Sequence, residues 1–134
     1  MTTKAHLRWT DNARFLARSG NSPTYVIDSS DENGAASPMQ MLLISAAGCT
    51  AIDVVDILTK KRIKLTGFEV NITGEEAEDF PKRYTRLIVE YIFYGDNIRN
   101  KAVEQAIELS ENKYCCVMAS LNTQAEHTYR IVEA

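Results

Sequence analysis

Residues 37–62 read SPMQMLLISAAGCTAIDVVDILTKKR, and this stretch predicts the central helix of the fold. The Ser37 hydroxyl can cap the first turn, and Pro38 fits the first helical position, where its missing N–H costs no hydrogen bond. Cations at positions 60–62 suit the other end, where helix carbonyls are exposed and the helix dipole is negative. Both ends therefore indicate one helix, from Ser37 to about position 62.

The predicted helix is apolar almost all round over residues 39–52, which is typical of a helix buried in a protein core. A membrane span needs about 18 or more apolar residues. The apolar run stops at Asp53, so we expect no membrane insertion. Only small side chains occupy residues 45–51, and they allow another backbone to approach closely. Cys49 lies within this patch.

Length and charge exclude several classes of protein. The 134 residues fit one domain, 1–134. A net charge of −3, from 15 basic and 18 acidic residues, leaves no basic stripe for a nucleic-acid partner. The N-terminal stretch MTTKAHLRWTDN lacks the apolar segment of a secretory signal, so we expect a cytoplasmic protein whose thiols stay reduced.

The three cysteines do not form a recognisable disulfide or metal pattern. Cys49, Cys115 and Cys116 contain no CxxC pair, and His6 and His127 are isolated in the sequence. We therefore expect neither a disulfide framework nor a metal centre.

The rest of the chain alternates between strand and helix patterns. A hairpin is predicted over residues 5–17 and a third strand over 24–27, followed by a polar loop at 28–36. Strict alternation from Phe68 to Thr73 predicts a half-buried strand. The run 84–94 is apolar on both faces for part of its length, which predicts a strand covered on both sides.

A second, amphipathic helix is predicted after residue 95. Asp96 or Asn97 can cap it, and it should end near Asn112 or Lys113. Its inner face carries Val103, Ala106, Ile107 and Ser110. A short helical piece at 115–121 and a strand at 128–132 complete the prediction.

This order of elements predicts an α+β domain. One sheet and one amphipathic helix hardly suffice to cover a central helix that is apolar all round. A second copy of the chain is the natural cover, so we expect a homodimer whose interface includes the helix of Cys49.

Two motifs resemble those of the OsmC/Ohr family, and more narrowly its YhfA-like branch. They are SPMQMLLISAAGCTAIDVVDIL at 37–58 and LSENKYCCVMASL at 109–121, and the resemblance covers nearly the whole chain. It implies an OsmC-like fold in which a two-helix core packs against antiparallel sheets. It also implies an intertwined homodimer with active sites at the subunit interface.

The resemblance further implies roles for individual residues. Cys49 would attack an organic hydroperoxide, and Cys115 would resolve the resulting sulfenic acid as a disulfide. An external dithiol would reduce that disulfide, with no metal and no other cofactor. Active relatives also carry an arginine from the N-terminal hairpin, for which Arg14 is the candidate here. They carry a glutamate early in the central helix, where this chain has Met39 and Gln40.

The chemistry of the residues leaves two hypotheses open. Peroxide reduction needs a thiolate, and the sulfenic acid must meet a second thiol before it is over-oxidised. Asp53 shares a helix face with Cys49, and a carboxylate disfavours a nearby thiolate, so a cation must offset it. The alternative is a binding protein that holds a small apolar or acyl ligand between its subunits. The missing glutamate favours binding, whereas the two cysteine motifs favour the reductase, which we prefer. Cys116 is expected to serve packing only.

Overall fold

A computed structural model describes residues 1–29 and 34–133. The elements in chain order are β1 (Ala5–Asp11), β2 (Arg14–Ser19), β3 (Tyr25–Asp28), α1 (Pro38–Lys60), β4 (Gly67–Glu76), β5 (Tyr84–Tyr94), α2 (Asn100–Leu109), a π-helical segment (Ser110–Tyr114), α3 (Cys116–Ser120) and β6 (Gln124–Val132). This order confirms the predicted α+β class. Residues 30–33 of the predicted loop lie outside the described residues.

The chain divides into two compact units, Met1–Leu42 and Leu43–Ala134. The prediction of a single domain over 1–134 is not tested by this division. The first unit contains an antiparallel sheet in the order β1-β2-β3. Asn12 turns the chain between β1 and β2 with a positive φ of 44°, a conformation that asparagine tolerates better than most residues. The predicted hairpin and third strand are thereby confirmed.

The second unit contains a mixed sheet in the order β4-β5-β6. Strands β4 and β5 are antiparallel, but β6 runs parallel to β5, from Arg86 opposite Gln124 to Tyr94 opposite Val132. The prediction of purely antiparallel sheets is therefore wrong for this sheet. Residues 95–123 form a helical crossover that returns the chain to the starting end of β5, and such a crossover makes the next strand parallel.

The core of the second unit lies between its sheet and its two longer helices. Tyr91, Ile92 and Phe93 are consecutive buried residues of β5, which confirms that this strand is covered on both faces. The inner face predicted for α2 is buried as well. The main cluster consists of Val54, Leu58, Val89, Tyr91, Phe93, Ala102, Val103, Ala106 and Ile107.

Both ends of α1 are closed by local hydrogen bonds. The Gln40 backbone N–H donates to Ser37 Oγ at 3.2 Å, and the Ser37 N–H donates to Gln40 Oε1 at 2.9 Å. This reciprocal pair is a capping box, which confirms Ser37 as the cap. At the other end, Arg62 adopts a positive φ of 61°, and Ile63 N–H donates to Leu58 O at 3.0 Å. The last turn therefore ends in a Schellman motif.

The predicted start of α2 is wrong. Arg99 occupies the N-cap position without a side-chain hydrogen bond, and Asn97 lies in a turn with a positive φ of 58°. Asn97 does not cap the helix. It occupies a turn position that requires the left-handed backbone conformation, which asparagine tolerates. At its C-terminal end α2 continues directly into the π-helical segment, so the chain remains helical as far as Tyr114.

One face of α1 remains exposed in the single chain, so the expected all-round burial is not reached. Ala46, Thr50, Val54 and Leu58 are buried, whereas Ile44, Ile52 and Val55 are 58%, 72% and 40% exposed. By length and composition α1 could also cross a membrane, a test that the core helix of a soluble protein passes equally.

Candidate active site

Two cysteines and an aspartate meet in the second unit. Cys49 and Asp53 lie one turn apart on α1, and Cys115 lies between the π-helical segment and α3. The two Sγ atoms and a carboxylate oxygen of Asp53 all lie within 4.8 Å of one another. All three cysteines are free thiols. The fold therefore brings together the two sulfurs that the resemblance pairs, although they are far apart along the chain.

The π-helical segment positions Cys115. Cys115 N–H donates to Ser110 O at 2.7 Å, which closes the wide π turn. The Cys115 side chain then caps α3, because Met118 N–H donates to its Sγ at 3.4 Å. The predicted helical piece at 115–121 is confirmed as α3, although it is shorter than expected. Single π turns inside helices are frequent at functional sites, since they redirect the residues that follow.

The two thiols differ in their surroundings. Cys115 is only 3% exposed, whereas Cys49 is half-buried. Burial raises the pKa of the Cys115 thiol to about 11; the Met118 hydrogen bond opposes this rise and the neighbouring Cys49 adds to it. Cys115 is therefore protonated at neutral pH, and Cys49 is the more accessible sulfur.

Ser110 supports this cluster and was missed as a site residue by the sequence reasoning. Its hydroxyl is fully buried and donates to Asp53 Oδ2 at 3.1 Å, and it lies 3.4 Å from the Thr50 carbonyl. The sequence predicted only that Ser110 faces inward. Its hydrogen bond links the π-helical segment to the carboxylate of α1.

A second polar group lies nearby. Tyr91 Oη donates to Glu111 Oε1 at 2.9 Å, and Glu111 Oε2 lies 2.9 Å from His127 Nδ1. Burial raises the pKa of Tyr91 above its usual range, and the negative charge of Glu111 adds to the rise. His127 is isolated in the sequence but not in the fold, where it pairs with Glu111.

The remaining predicted residues have other neighbours. Arg14 belongs to the first unit, where its Nε donates to Asp28 Oδ2 at 3.1 Å, and its catalytic role stays a prediction. Cys116 is exposed, and its thiol donates to the Tyr114 carbonyl at 3.7 Å. Gln40, one of the two early α1 residues where the resemblance implies a glutamate, is used in the capping box of α1.

A surface groove of approximately 540 Å³ begins beside Asp53. Its walls combine apolar side chains with two lysines and two aspartates. The lining consists of Asp53, Asp56, Ile57, Lys60, Lys61, Leu109 and Tyr114. A groove of this composition suits an organic molecule with an apolar body.

Comparison with known proteins places this site in a family. The OsmC family, described as "OsmC-like protein", matches residues 30–130. The chain belongs to the OsmC family. Protein YhfA of Escherichia coli strain K12 is 35% identical over 133 residues, covering 98% of this chain and 99% of that protein. The chain is thus a YhfA-like member of the OsmC family, as the two motifs predicted, and membership is consistent with a soluble protein.

Solved structures agree with this placement. A hypothetical protein from Aquifex aeolicus VF5 superposes with a TM-score of 0.89 at 28% identity, covering 100% of this chain and 98% of that one. The organic hydroperoxide resistance protein OhrB of Bacillus subtilis superposes with a TM-score of 0.64 at 11% identity. The superposition covers 97% of this chain and 98% of that one. The second likeness shows a shared OsmC-like fold only.

Proposed function

We propose that this OsmC-like chain reduces organic hydroperoxides with Cys49 as the attacking thiol and Cys115 as the resolving thiol. The observation that carries the proposal is the convergence of the two Sγ atoms within 4.8 Å. Modest side-chain rotation can close that distance to the roughly 2 Å of a disulfide bond. OhrB of Bacillus subtilis, which shares this fold, is named as an organic hydroperoxide resistance protein.

The reaction balances with two thiols and one hydroperoxide. The Cys49 thiolate attacks the terminal peroxide oxygen, the O–O bond breaks, and the leaving alkoxide takes a proton to become an alcohol. Cys49 is then a sulfenic acid. The Cys115 sulfur attacks the Cys49 sulfur, a disulfide forms and water leaves. An external dithiol restores both thiols by disulfide exchange.

Accessibility supports this assignment of roles. The half-buried Cys49 can meet a substrate, whereas the buried Cys115 can meet little except the oxidised Cys49. Cys116 is exposed and directed to a backbone carbonyl, so it has no place in the sequence of steps.

The proposal includes a homodimer in the cytoplasm. Ile44, Ile52 and Val55 form an exposed apolar face of α1, and Leu7 and Trp9 of β1 are also exposed, at 52% and 62%. Large exposed apolar surfaces of this kind are typical of subunit interfaces. A second copy would bury them and enclose the thiols, where a small apolar hydroperoxide could bind out of water.

Cysteine variants test the proposal. Stoichiometric cumene hydroperoxide is added to reduced protein, and peroxide loss and the Cys49–Cys115 disulfide are followed by chemical assay and mass spectrometry. The parent should consume one equivalent and form that disulfide. Cys49→Ser should consume none, because the attacking sulfur is gone. Cys115→Ser should consume one equivalent and stop at the sulfenic acid or a more oxidised form.

Cys116→Ser is the matched control, and it should behave like the parent. Loss of turnover in this variant would overturn the assignment of Cys115. Absence of both peroxide loss and disulfide in the parent would favour the second candidate, a protein that binds a small apolar or acyl ligand. The uncharged residues Met39 and Gln40, at the early α1 positions where the resemblance implies a glutamate, favour that second candidate.

A further inference from the structure

The sequence predicted no metal centre, but in the fold Cys49, Asp53 and Cys115 form a cluster that has the composition of a metal site. Its three candidate ligand atoms come from two different elements and lie within 4.8 Å of one another. In a tetrahedral zinc site the ligand atoms are about 3.5–3.8 Å apart, because Zn–S is about 2.3 Å and Zn–O about 2.0–2.2 Å. Side-chain shifts of about 1 Å or less would therefore complete the geometry.

Hydrogen bonds already hold two of the three ligands in place. Ser110 donates to Asp53 Oδ2 at 3.1 Å, and the Met118 N–H donates to Cys115 Sγ at 3.4 Å. Outer donors of this kind orient metal ligands and stabilise their charged forms.

The charge and the chemical softness of the three ligand groups determine which metal ion the cluster would prefer. With both thiols deprotonated, the three groups carry three negative charges in a partly buried place. Among residues 1–29 and 34–133, Asp53 forms no ion pair with a lysine, arginine or histidine. Two thiolates favour a thiophilic divalent cation over Mg²⁺ or Ca²⁺, which prefer oxygen ligands.

We propose that the reduced protein binds Zn²⁺ through Cys49, Asp53 and Cys115, one ion per chain, with the fourth position open to water or another ligand. Binding displaces the two thiol protons, and the bound ion holds both sulfurs away from other reactions. The site is then a reversible, metal-protected state of the thiol pair. Zinc binding needs only reduced thiols and so does not depend on hydroperoxide chemistry.

Thiol protection tests the inference on the unmodified chain. Reduced, metal-free protein is treated with iodoacetamide with and without equimolar Zn²⁺, and each cysteine is scored by mass spectrometry. Zinc should slow alkylation of Cys49 at least about 10-fold and leave the exposed Cys116 unchanged. Addition of a strong chelator should restore the rate at Cys49. Equal rates with and without zinc would overturn the inference.

Cobalt spectroscopy tests the third ligand. Co²⁺ should give intense visible bands of tetrahedral coordination and a near-ultraviolet thiolate band. Asp53→Asn should weaken Co²⁺ and Zn²⁺ binding by about 10- to 100-fold, the usual range for loss of a coordinating or orienting group. Asp56→Asn on the exposed side of α1 is the control and should bind like the parent. Weak, octahedral bands, or equal affinities for the two variants, would contradict the proposed ligand set.

Discussion

Ser110 shows how a single buried side chain can organise a site. Its hydroxyl joins the π-helical segment to α1 by donating to Asp53 Oδ2 at 3.1 Å, and its relative exposure is 0%. The same backbone turn that buries Ser110 also places Cys115, whose N–H donates to the Ser110 carbonyl. Ser110 therefore couples the position of Cys115 to the Asp53 carboxylate on α1.

Ser110→Ala is expected to lower the free energy of unfolding by about 1–2 kcal/mol, because it removes a hydrogen bond to a charged, partly buried acceptor. Urea unfolding of the reduced protein at fixed concentration measures the change. Ser120→Ala is the control, since Ser120 donates to the Cys116 carbonyl at the surface, and its effect should stay within about 0.5 kcal/mol. If both variants lost the same free energy of unfolding, the hydrogen bond from Ser110 to Asp53 would make no specific contribution to stability.

At the level of elements, α1 depends on its ends as well as on its packed face. The capping box of Ser37 and Gln40 satisfies two backbone N–H groups at the start of the helix. Gln40 therefore has a structural role at the start of this helix, where both of its capping hydrogen bonds are made to Ser37.

Ser37→Ala is expected to destabilise the protein by about 1 kcal/mol, because the Gln40 N–H loses its acceptor. Thermal and urea unfolding both report this change. Ser45→Ala, at an exposed position in the interior of the same helix, should be neutral or slightly stabilising because alanine has the higher helix propensity. If Ser45→Ala cost as much as Ser37→Ala, the loss would not come from capping.

For the whole molecule, the exposed face of α1 is the feature that a single chain leaves incomplete. Ile52 is 72% exposed and lies on the same face as Ile44 and Val55. An isolated subunit would expose these groups to water next to the thiol cluster. The proposed homodimer resolves this by burying the face against a second copy.

Ile52→Glu is expected to shift the protein from dimer to monomer, because a charge in an apolar interface is costly to bury. Sedimentation at micromolar concentration measures the assembly. Phe80→Glu is the control, since Phe80 is 86% exposed in the loop between β4 and β5 and is not part of α1, and it should sediment like the parent. A parent protein that sediments as a stable monomer would contradict the proposed dimer.

The sequence by itself determined the features that neighbouring residues encode. Ser37 and Pro38 marked the start of α1, alternation at 68–73 marked β4, and the inner face of α2 followed from its helical period. The two cysteine motifs identified the OsmC family. These signals are local, because capping and periodicity depend on residues within one or two turns.

Only the tertiary structure decided the contacts between distant residues. It made β6 parallel to β5, inserted a π-helical segment before Cys115, and brought its sulfur within 4.8 Å of Cys49 and Asp53. It also gave Ser110 and His127 their partners. No local pattern encodes these contacts, because they arise only when the crossover, the sheet and α1 pack on one another.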